Sequence, residues 1–197
     1  QTMTAFGFGE APELRDLPSA MLVTSGRFGA DGKLLPNGEQ GIDTPRVAIG
    51  QERLGATPLQ MAMVASAIAN GGELRRPFLV RQVRDRGGDV VREGRAETVR
   101  RVTTPDVASA LSAMMRSVVR EGTGTAAGLI GLDVAGKTGT AESGAAGRNQ
   151  AWFIGFAPAA NPVVAVAVLV EDTTGTGGGV AAPIAGNVMR TAVEVAR

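Results

Sequence analysis

Hydrophobic residues are spaced unevenly along this chain, and their spacing predicts its elements. The first 46 residues show no sustained period. Pro12, Pro18, Pro36 and Pro45, with the turn-prone run Phe28-Gly29-Ala30-Asp31-Gly32, break them into loops with short helical pieces. Residues 59–69 are apolar nearly all round, apart from Gln60 and Ser66, which predicts a helix buried on most of its circumference. Thr57-Pro58-Leu59-Gln60 starts it with an N-cap threonine, a proline at the first helical position and a glutamine placed for a capping box. Asn70-Gly71-Gly72 stops it with residues that accept positive φ.

Within residues 77–102, Phe78-Leu79-Val80-Arg81-Gln82-Val83 and Asp89-Val90-Val91 flank Gly87-Gly88, which predicts a hairpin. Thr104-Pro105 opens a second helix, with Val107, Leu111, Met114, Met115 and Val118 on one apolar face. Arg116 and Arg120 complement its C-terminus and Gly122 ends it. A glycine-rich loop over 122–131 leads to three strands at 134–142, 151–157 and 163–171, the last rich in β-branched residues. Their short connections make neighbours antiparallel. A final helix over 182–196 presents Ile184, Val188, Ala192 and Val195 on one side. The expected class is therefore α+β, an antiparallel sheet flanked by helices, with the lysine-bearing first strand at its edge.

Composition narrows the chemistry. The 197 residues suit one domain or a large part of one. Lys and Arg number 20 against 19 acids, a formal charge of +1, which argues against a nucleic-acid partner or a strong pull toward anionic membranes. Nine arginines lie between Arg75 and Arg101 against Asp85, Asp89, Glu93 and Glu97. Aromatic residues do not alternate with them as base stacking needs, so they read as a solvated hairpin face. Cysteine and histidine are absent. That excludes disulfides, thiolate nucleophiles, Cys/His zinc sites and a Ser-His-Asp relay within this chain, and leaves proton transfer to lysine, carboxylate or water. The most apolar stretch, 151–170, is interrupted by Pro158, Asn161 and Pro162 and reads as two strands and a turn, not a membrane span. Gln1-Thr2-Met3-Thr4 has neither a starting methionine nor a signal-peptide pattern, so the chain is expected to begin within something larger.

One lysine supports two readings. Gly131-Leu132-Asp133-Val134-Ala135-Gly136-Lys137-Thr138 satisfies the phosphate-loop pattern, and the apolar stretch 163–170 followed by Glu171-Asp172 resembles the acidic strand of a nucleotide site. A phosphate loop needs its lysine at the start of a helix, however. Gly139 and Ser143-Gly144-Ala145-Ala146-Gly147 are poor helix material, and no crossover helix fits before the strand at Ala151. The second reading puts Lys137 on a strand. Lys33 and Lys137 are the two lysines of the chain, against 18 arginines, and an ammonium can share a proton where a guanidinium cannot. Lys137-Thr138-Gly139-Thr140 then adds two hydroxyls on one strand face, with a glycine between that leaves room for a ligand backbone. Such a site suits a peptide-like carboxylate bound as an extra strand.

The tetrapeptide has company. The block Gly50-Gln51-Glu52-Arg53-Leu54-Gly55-Ala56-Thr57-Pro58-Leu59-Gln60-Met61-Ala62 is followed by Ala69-Asn70-Gly71-Gly72 and by Val134-Ala135-Gly136-Lys137-Thr138-Gly139-Thr140-Ala141-Glu142. Last comes Ala151-Trp152-Phe153-Ile154-Gly155-Phe156-Ala157-Pro158. In this order they resemble the second half of the transpeptidase domain of class B penicillin-binding proteins, over residues 45–197. Residues 1–197 then read as the C-terminal portion of one such domain, with a loop-rich lead-in over 1–45 and a motif-bearing part over 46–197.

That resemblance implies an acyl transferase. A serine attacks the D-Ala-D-Ala bond of a peptidoglycan stem peptide, D-Ala leaves, and an amine of a neighbouring stem resolves the acyl-enzyme; β-lactams acylate the same serine. No cofactor or metal is implied. The family's motifs are S-x-x-K, S-x-N and K-T-G. None of the seven serines here (Ser19, Ser25, Ser66, Ser109, Ser112, Ser117 and Ser143) opens either serine motif. The nucleophile is therefore expected in a complementary N-terminal part of the same protein, at the extracytoplasmic face of a bacterial membrane. Lys137 would supply positive charge for proton traffic and substrate attraction, and Thr138 and Thr140 would bind the terminal carboxylate beside Gly139. The Thr140 N–H would form half of the oxyanion hole. Trp152 is expected in the core and Glu142 in a surface role. Serine β-lactamase and non-catalytic β-lactam sensor are the alternatives of the same fold, and a phosphate-loop nucleotide protein is the alternative outside it.

Overall fold

A computed structural model describes residues 2–36, 43–51, 53–142 and 147–196. Glu52 and the stretch 143–146, with Ser143, lie outside the described residues. The N-terminal part is short pieces joined by loops, as its prolines dictate: α1 (Thr2–Ala5), a 3₁₀ turn (Ser19–Met21), β1 (Gly26–Arg27) and α2 (Thr44–Ala48). β2 (Leu54–Gly55) pairs antiparallel with β1.

α3 (Pro58–Ala69) begins where its sequence puts it, with the Thr57 hydroxyl accepting the Gln60 N–H at 3.1 Å. The other half of the capping box is replaced by long-range ties. The Gln60 side-chain amide donates to the Phe6 carbonyl at 2.6 Å, and the Thr57 N–H donates to the Ser25 hydroxyl at 2.9 Å. Ser25 and Gln60 are each 1% exposed. Full burial on this helix is confined to Gln60, Ala65, Ala67 and Ile68, short of the all-round burial its apolar run predicts. A polar residue is the most deeply placed long side chain because it fastens the helix to the N-terminal segment.

The arginine-rich region forms two nested antiparallel pairs. β3 (Glu73–Arg75) pairs with β6 (Thr98–Arg101), and inside them β4 (Gln82–Arg84) pairs with β5 (Val90–Glu93). Every residue of β4 and β5 is exposed, so the hairpin face is solvated as expected. The positive charge of this region is balanced from the N-terminal segment, where Arg100 pairs with Glu10, Arg76 with Glu13 and Arg92 with Asp16, and from within, where Arg101 pairs with Glu73 of β3. The Asp16 carboxylate also accepts the N–H groups of Val80 at 2.9 Å and Leu79 at 2.8 Å. These backbone bonds, Val80's first, with Arg92 beside them, hold Asp16 below the usual carboxylate range.

α4 (Pro105–Glu121) is capped by the Thr104 hydroxyl, which accepts the Val107 N–H at 3.3 Å. Its buried stripe is Ala108, Met115 and Val119, with Leu111 partly buried; Val107 and Met114 are 48% and 58% exposed. The predicted face is thus rotated, because small Ala108 permits the close approach that larger Val107 would prevent. Arg116 and Arg120 pair with Asp133 rather than with the helix terminus.

Three antiparallel strands follow in the order β7 (Ala135–Glu142), β8 (Asn149–Ala157) and β9 (Val164–Thr173). Ala135 and Phe156 pack with Ile68 of α3 and Met115 of α4. Phe153 and Val166 pack with Ala182, Ala185, Met189 and Val193 of the last helix, α5 (Ala182–Val195). Helices therefore cover both faces of the sheet. α5 turns the opposite side inward from the one predicted, leaving Ile184, Val188 and Val195 at 46%, 47% and 83% exposure. Its inward stripe is small: Ala182, Ala185 and Gly186 are buried with Met189 and Val193, a Cβ on Gly186 would lie 3.1 Å from the Ala127 carbonyl oxygen, and bulk hydrophobicity alone misses such a face. Among the described residues, no helix is long and apolar enough to cross a membrane.

Candidate active site

Lys137 stands in the middle of β7, which pairs with β8 and, among the described residues, has no strand on its other side. The register sets Lys137 opposite Ile154, Thr138 opposite Phe153, Gly139 opposite Trp152 and Thr140 opposite Ala151. The strand continues through Gly139 to Glu142, so no helix starts after the lysine and a phosphate-loop geometry is absent. The acidic end of β9 is also accounted for, since Asp172 makes a paired contact with Arg148 at 2.8 Å through both carboxylate oxygens.

Over the sheet, reaching from β7 across β8 to β9, lies a cleft of about 790 Å³. Lys137, Thr138, Gly139, Thr140 and Glu142 line it along β7, and Trp152, Ile154 and Leu169 continue the lining on β8 and β9. Gly50, Gln51, Leu54, Gly55, Ala56 and Met61 line it as well. Three blocks far apart in sequence thus converge on one concave surface. Trp152 lines this cleft and is only partly buried, which corrects its expected place in the core. Trp152 pairs with Gly139 on one side and with Leu169 on the other.

The four predicted site residues are held differently. The exposed Lys137 ammonium donates to the Thr138 carbonyl. Thr138 is 8% exposed, and its hydroxyl lies 2.6 Å from that of Thr123. Thr140 is exposed, and its hydroxyl accepts the Gly177 N–H at 3.1 Å. Thr123 and Gly177 were not singled out from sequence. Their signal is the glycine density of the loops that hold them, 122–131 and 175–179, which marks close backbone approach without saying to what.

Residues 1–190 match the Penicillin binding protein transpeptidase domain. The chain belongs to that family. It is 43% identical over 144 residues to the peptidoglycan D,D-transpeptidase PbpA of Mycolicibacterium smegmatis, covering 70% of this chain and 29% of that protein. Against the PbpA of Mycobacterium tuberculosis the identity is 42% over 159 residues, covering 75% and 31%. The ceftriaxone acyl-enzyme structure of penicillin-binding protein A from M. tuberculosis superposes with a TM-score of 0.84 at 33% identity, covering 98% of this chain and 42% of that one. The chain thus spans about three tenths of the length of these two relatives. Its sheet and flanking helices are part of the penicillin-binding transpeptidase fold.

Proposed function

We propose that this chain is the K-T-G-bearing, C-terminal portion of the catalytic domain of a peptidoglycan D,D-transpeptidase working at the outer face of a bacterial cell membrane. The observation that carries the reading is the convergence of the 50–62 block, the Lys137-Thr138-Gly139-Thr140 edge strand and Trp152 on one cleft. The names of the relatives support it, as do the β-lactam acyl-enzymes recorded for penicillin-binding protein A.

In this reading a serine supplied by the remainder of the protein, in an S-x-x-K motif, attacks the penultimate D-Ala carbonyl of a stem peptide. The serine oxygen–carbon bond forms, the D-Ala-D-Ala amide C–N bond breaks, and a proton passes to the departing D-Ala amine. An amine of a second stem then displaces the serine. The substrate backbone lies along β7 as an added strand, and Gly139 keeps that path clear. Lys137 supplies the fixed positive charge for the C-terminal carboxylate and for proton transfer near the leaving group. The Thr138 and Thr140 hydroxyls bind the carboxylate, and the Thr140 N–H faces the oxyanion; such a donor is worth about 3–4 kcal/mol in the barrier. The S-x-x-K and S-x-N elements complete the cleft from outside this chain, and β-lactams enter as mimics of the donor peptide.

The test is labelling of the full-length protein with a fluorescent penicillin. Stable, stoichiometric acylation is expected, with residues 1–197 alone taking up none. Rapid turnover of the label would instead make the protein a β-lactamase, and no labelling at all would overturn the reading.

A further inference from the structure

We infer that Thr123, outside the K-T-G strand and in no recognised motif, is a positioning residue that turns the Thr138 hydroxyl into a hydrogen-bond donor for the substrate carboxylate. The inference rests on the transpeptidase reading and deepens it. Each of the two hydroxyls of β7 has one partner from a neighbouring loop. Thr140 accepts from the Gly177 N–H at 3.1 Å, so its own hydrogen is uncommitted. Thr138 meets the Thr123 hydroxyl at 2.6 Å, a contact that consumes one hydrogen from either partner. When Thr123 donates, Thr138 is left as Thr140 is: satisfied from behind, with its hydrogen free to point to an anion. A carboxylate on β7 favours that orientation, because it needs donors and repels lone pairs.

The backbone around Thr123 is built to hold this contact. Gly122 and Gly124 flank it, and a Cβ on Gly122 would lie 2.9 Å from the Val118 carbonyl oxygen and Cα. Across the gap, a Cβ on Gly178 would stand 2.3 Å from the Thr123 carbonyl oxygen. The Gly124 N–H bonds to the Val118 carbonyl at 3.0 Å, which fixes the loop to the end of α4. Thr123 is thus the side chain that a closely seated loop presents to β7. It is exposed while Thr138 is 8% exposed, so it adds little to the core and its position calls for a polar explanation.

The test compares acylation rates of the full-length protein by penicillin G and by its methyl ester, which lacks the anion. Thr123→Val is expected to slow the acid by about three- to tenfold while changing the ester little, since the neutral hydrogen bond that orients Thr138 is lost while Thr138 itself remains. Thr123→Ser, which keeps the hydroxyl, is expected to restore the wild-type rate. Thr123→Val combined with Thr138→Val should be no slower than Thr138→Val alone, the non-additivity of two groups acting as one. A melting temperature for each variant separates misfolding from misorientation, and Thr123→Ser decides the matter if the valine variant fails to fold. Equal loss on acid and ester, full additivity, or no rescue by serine would overturn the inference while leaving the transpeptidase reading intact. A wild-type protein that penicillin does not acylate overturns both.

Discussion

Gly177→Ala isolates how the loop before α5 controls the K-T-G strand. Gly177 is not among the left-handed glycines, so alanine's own backbone preference is not at issue and only space is. A Cβ built there would lie 2.3 Å from the carbonyl oxygens of Gly139 and Trp152 and 3.0 Å from the Gly139 nitrogen. That is about 1 Å short of ordinary contact, and all three atoms are backbone, so no side chain can rotate away. The loop must retreat from the sheet. Overpacking of this kind costs about 1–3 kcal/mol, a melting decrease of roughly 2–4 °C per kcal/mol for a domain of this size. The same retreat stretches the 3.1 Å bond from the Gly177 N–H to the Thr140 hydroxyl past a useful length. Losing it removes about 0.5–1.5 kcal/mol, a further two- to tenfold in acylation by a carboxylate-bearing β-lactam. Gly179→Ala in the same loop is the control, since its Cβ meets only the Thr176 hydroxyl at an ordinary 3.4 Å. Calorimetry and stopped-flow acylation on the full-length protein read both effects. If Gly177→Ala matched Gly179→Ala in melting and in rate, the close packing of this loop would not be what positions Thr140.

Other perturbations follow from the same geometry. Lys137→Ala should slow β-lactam acylation steeply, and Lys137→Arg should recover only part of it, because a planar fork does not replace a compact proton-sharing ammonium; wild-type rates in both would refute the role. Ser25→Ala leaves the Thr57 N–H without its acceptor where α3 begins, so it should cost about 1–3 kcal/mol in chemical denaturation, and no change would show that water replaces the hydroxyl. Asp16 is held below its ordinary value of 3.8, so the stability it lends is full above that pH and is lost as pH falls from there through its lowered pKa. Amide chemical shifts of Leu79 and Val80 should therefore hold steady down to about pH 4 and move only below it, whereas Asp16→Asn should shift them at neutral pH. Movement centred above that range would mean the carboxylate is not bound as described.

The elements were legible where local chemistry is strong, and the inward faces were not. Thr57-Pro58 and Thr104-Pro105 mark the starts of α3 and α4, and each hydroxyl does cap its helix. The three strands were legible because β-branched runs and short connections leave few alternatives. The buried side of α4 was legible in part, at Leu111 and Met115, and that of α5 was misread, and both departures have one reason. Hydrophobic patterning ranks Val107, Met114, Ile184 and Val188 as core, while close packing selected Ala108, Ala182, Ala185 and Gly186. The pairing of β3 with β6 was hidden because Glu73-Leu74-Arg75 and Thr98-Val99-Arg100-Arg101 are charged strands whose charges are met across the pair, Arg101 by Glu73, and by the distant Glu10, which pairs with Arg100. Of the site, Lys137, Thr138, Gly139 and Thr140 were readable as a motif. Thr123 and Gly177 were not, because contact across more than a dozen residues leaves no periodic trace.

The two edges of the sheet differ in a way that bears on the proposed assembly. β7 presents Lys137, Gly139 and Glu142 along its open side, and a charged, glycine-interrupted edge resists pairing with another chain while admitting a peptide held by its own carboxylate. β9 begins Val164-Ala165-Val166-Ala167-Val168-Leu169-Val170 and reaches its first charge at Glu171. None of the devices that blunt a free edge (lysine, proline, an inward charge) interrupts that run. A sheet that guards one edge and leaves the other apolar is asymmetric in function. The guarded edge suits a transient substrate strand. The apolar edge suits permanent strands of the same protein, and the exposed Ile184 and Val188 on α5 add apolar surface on the helix that packs against this sheet. The proposal that the serine motifs come from a further part of the protein thus has a physical counterpart: the edge that lacks protection is the one opposite β7, where added strands leave the K-T-G strand open.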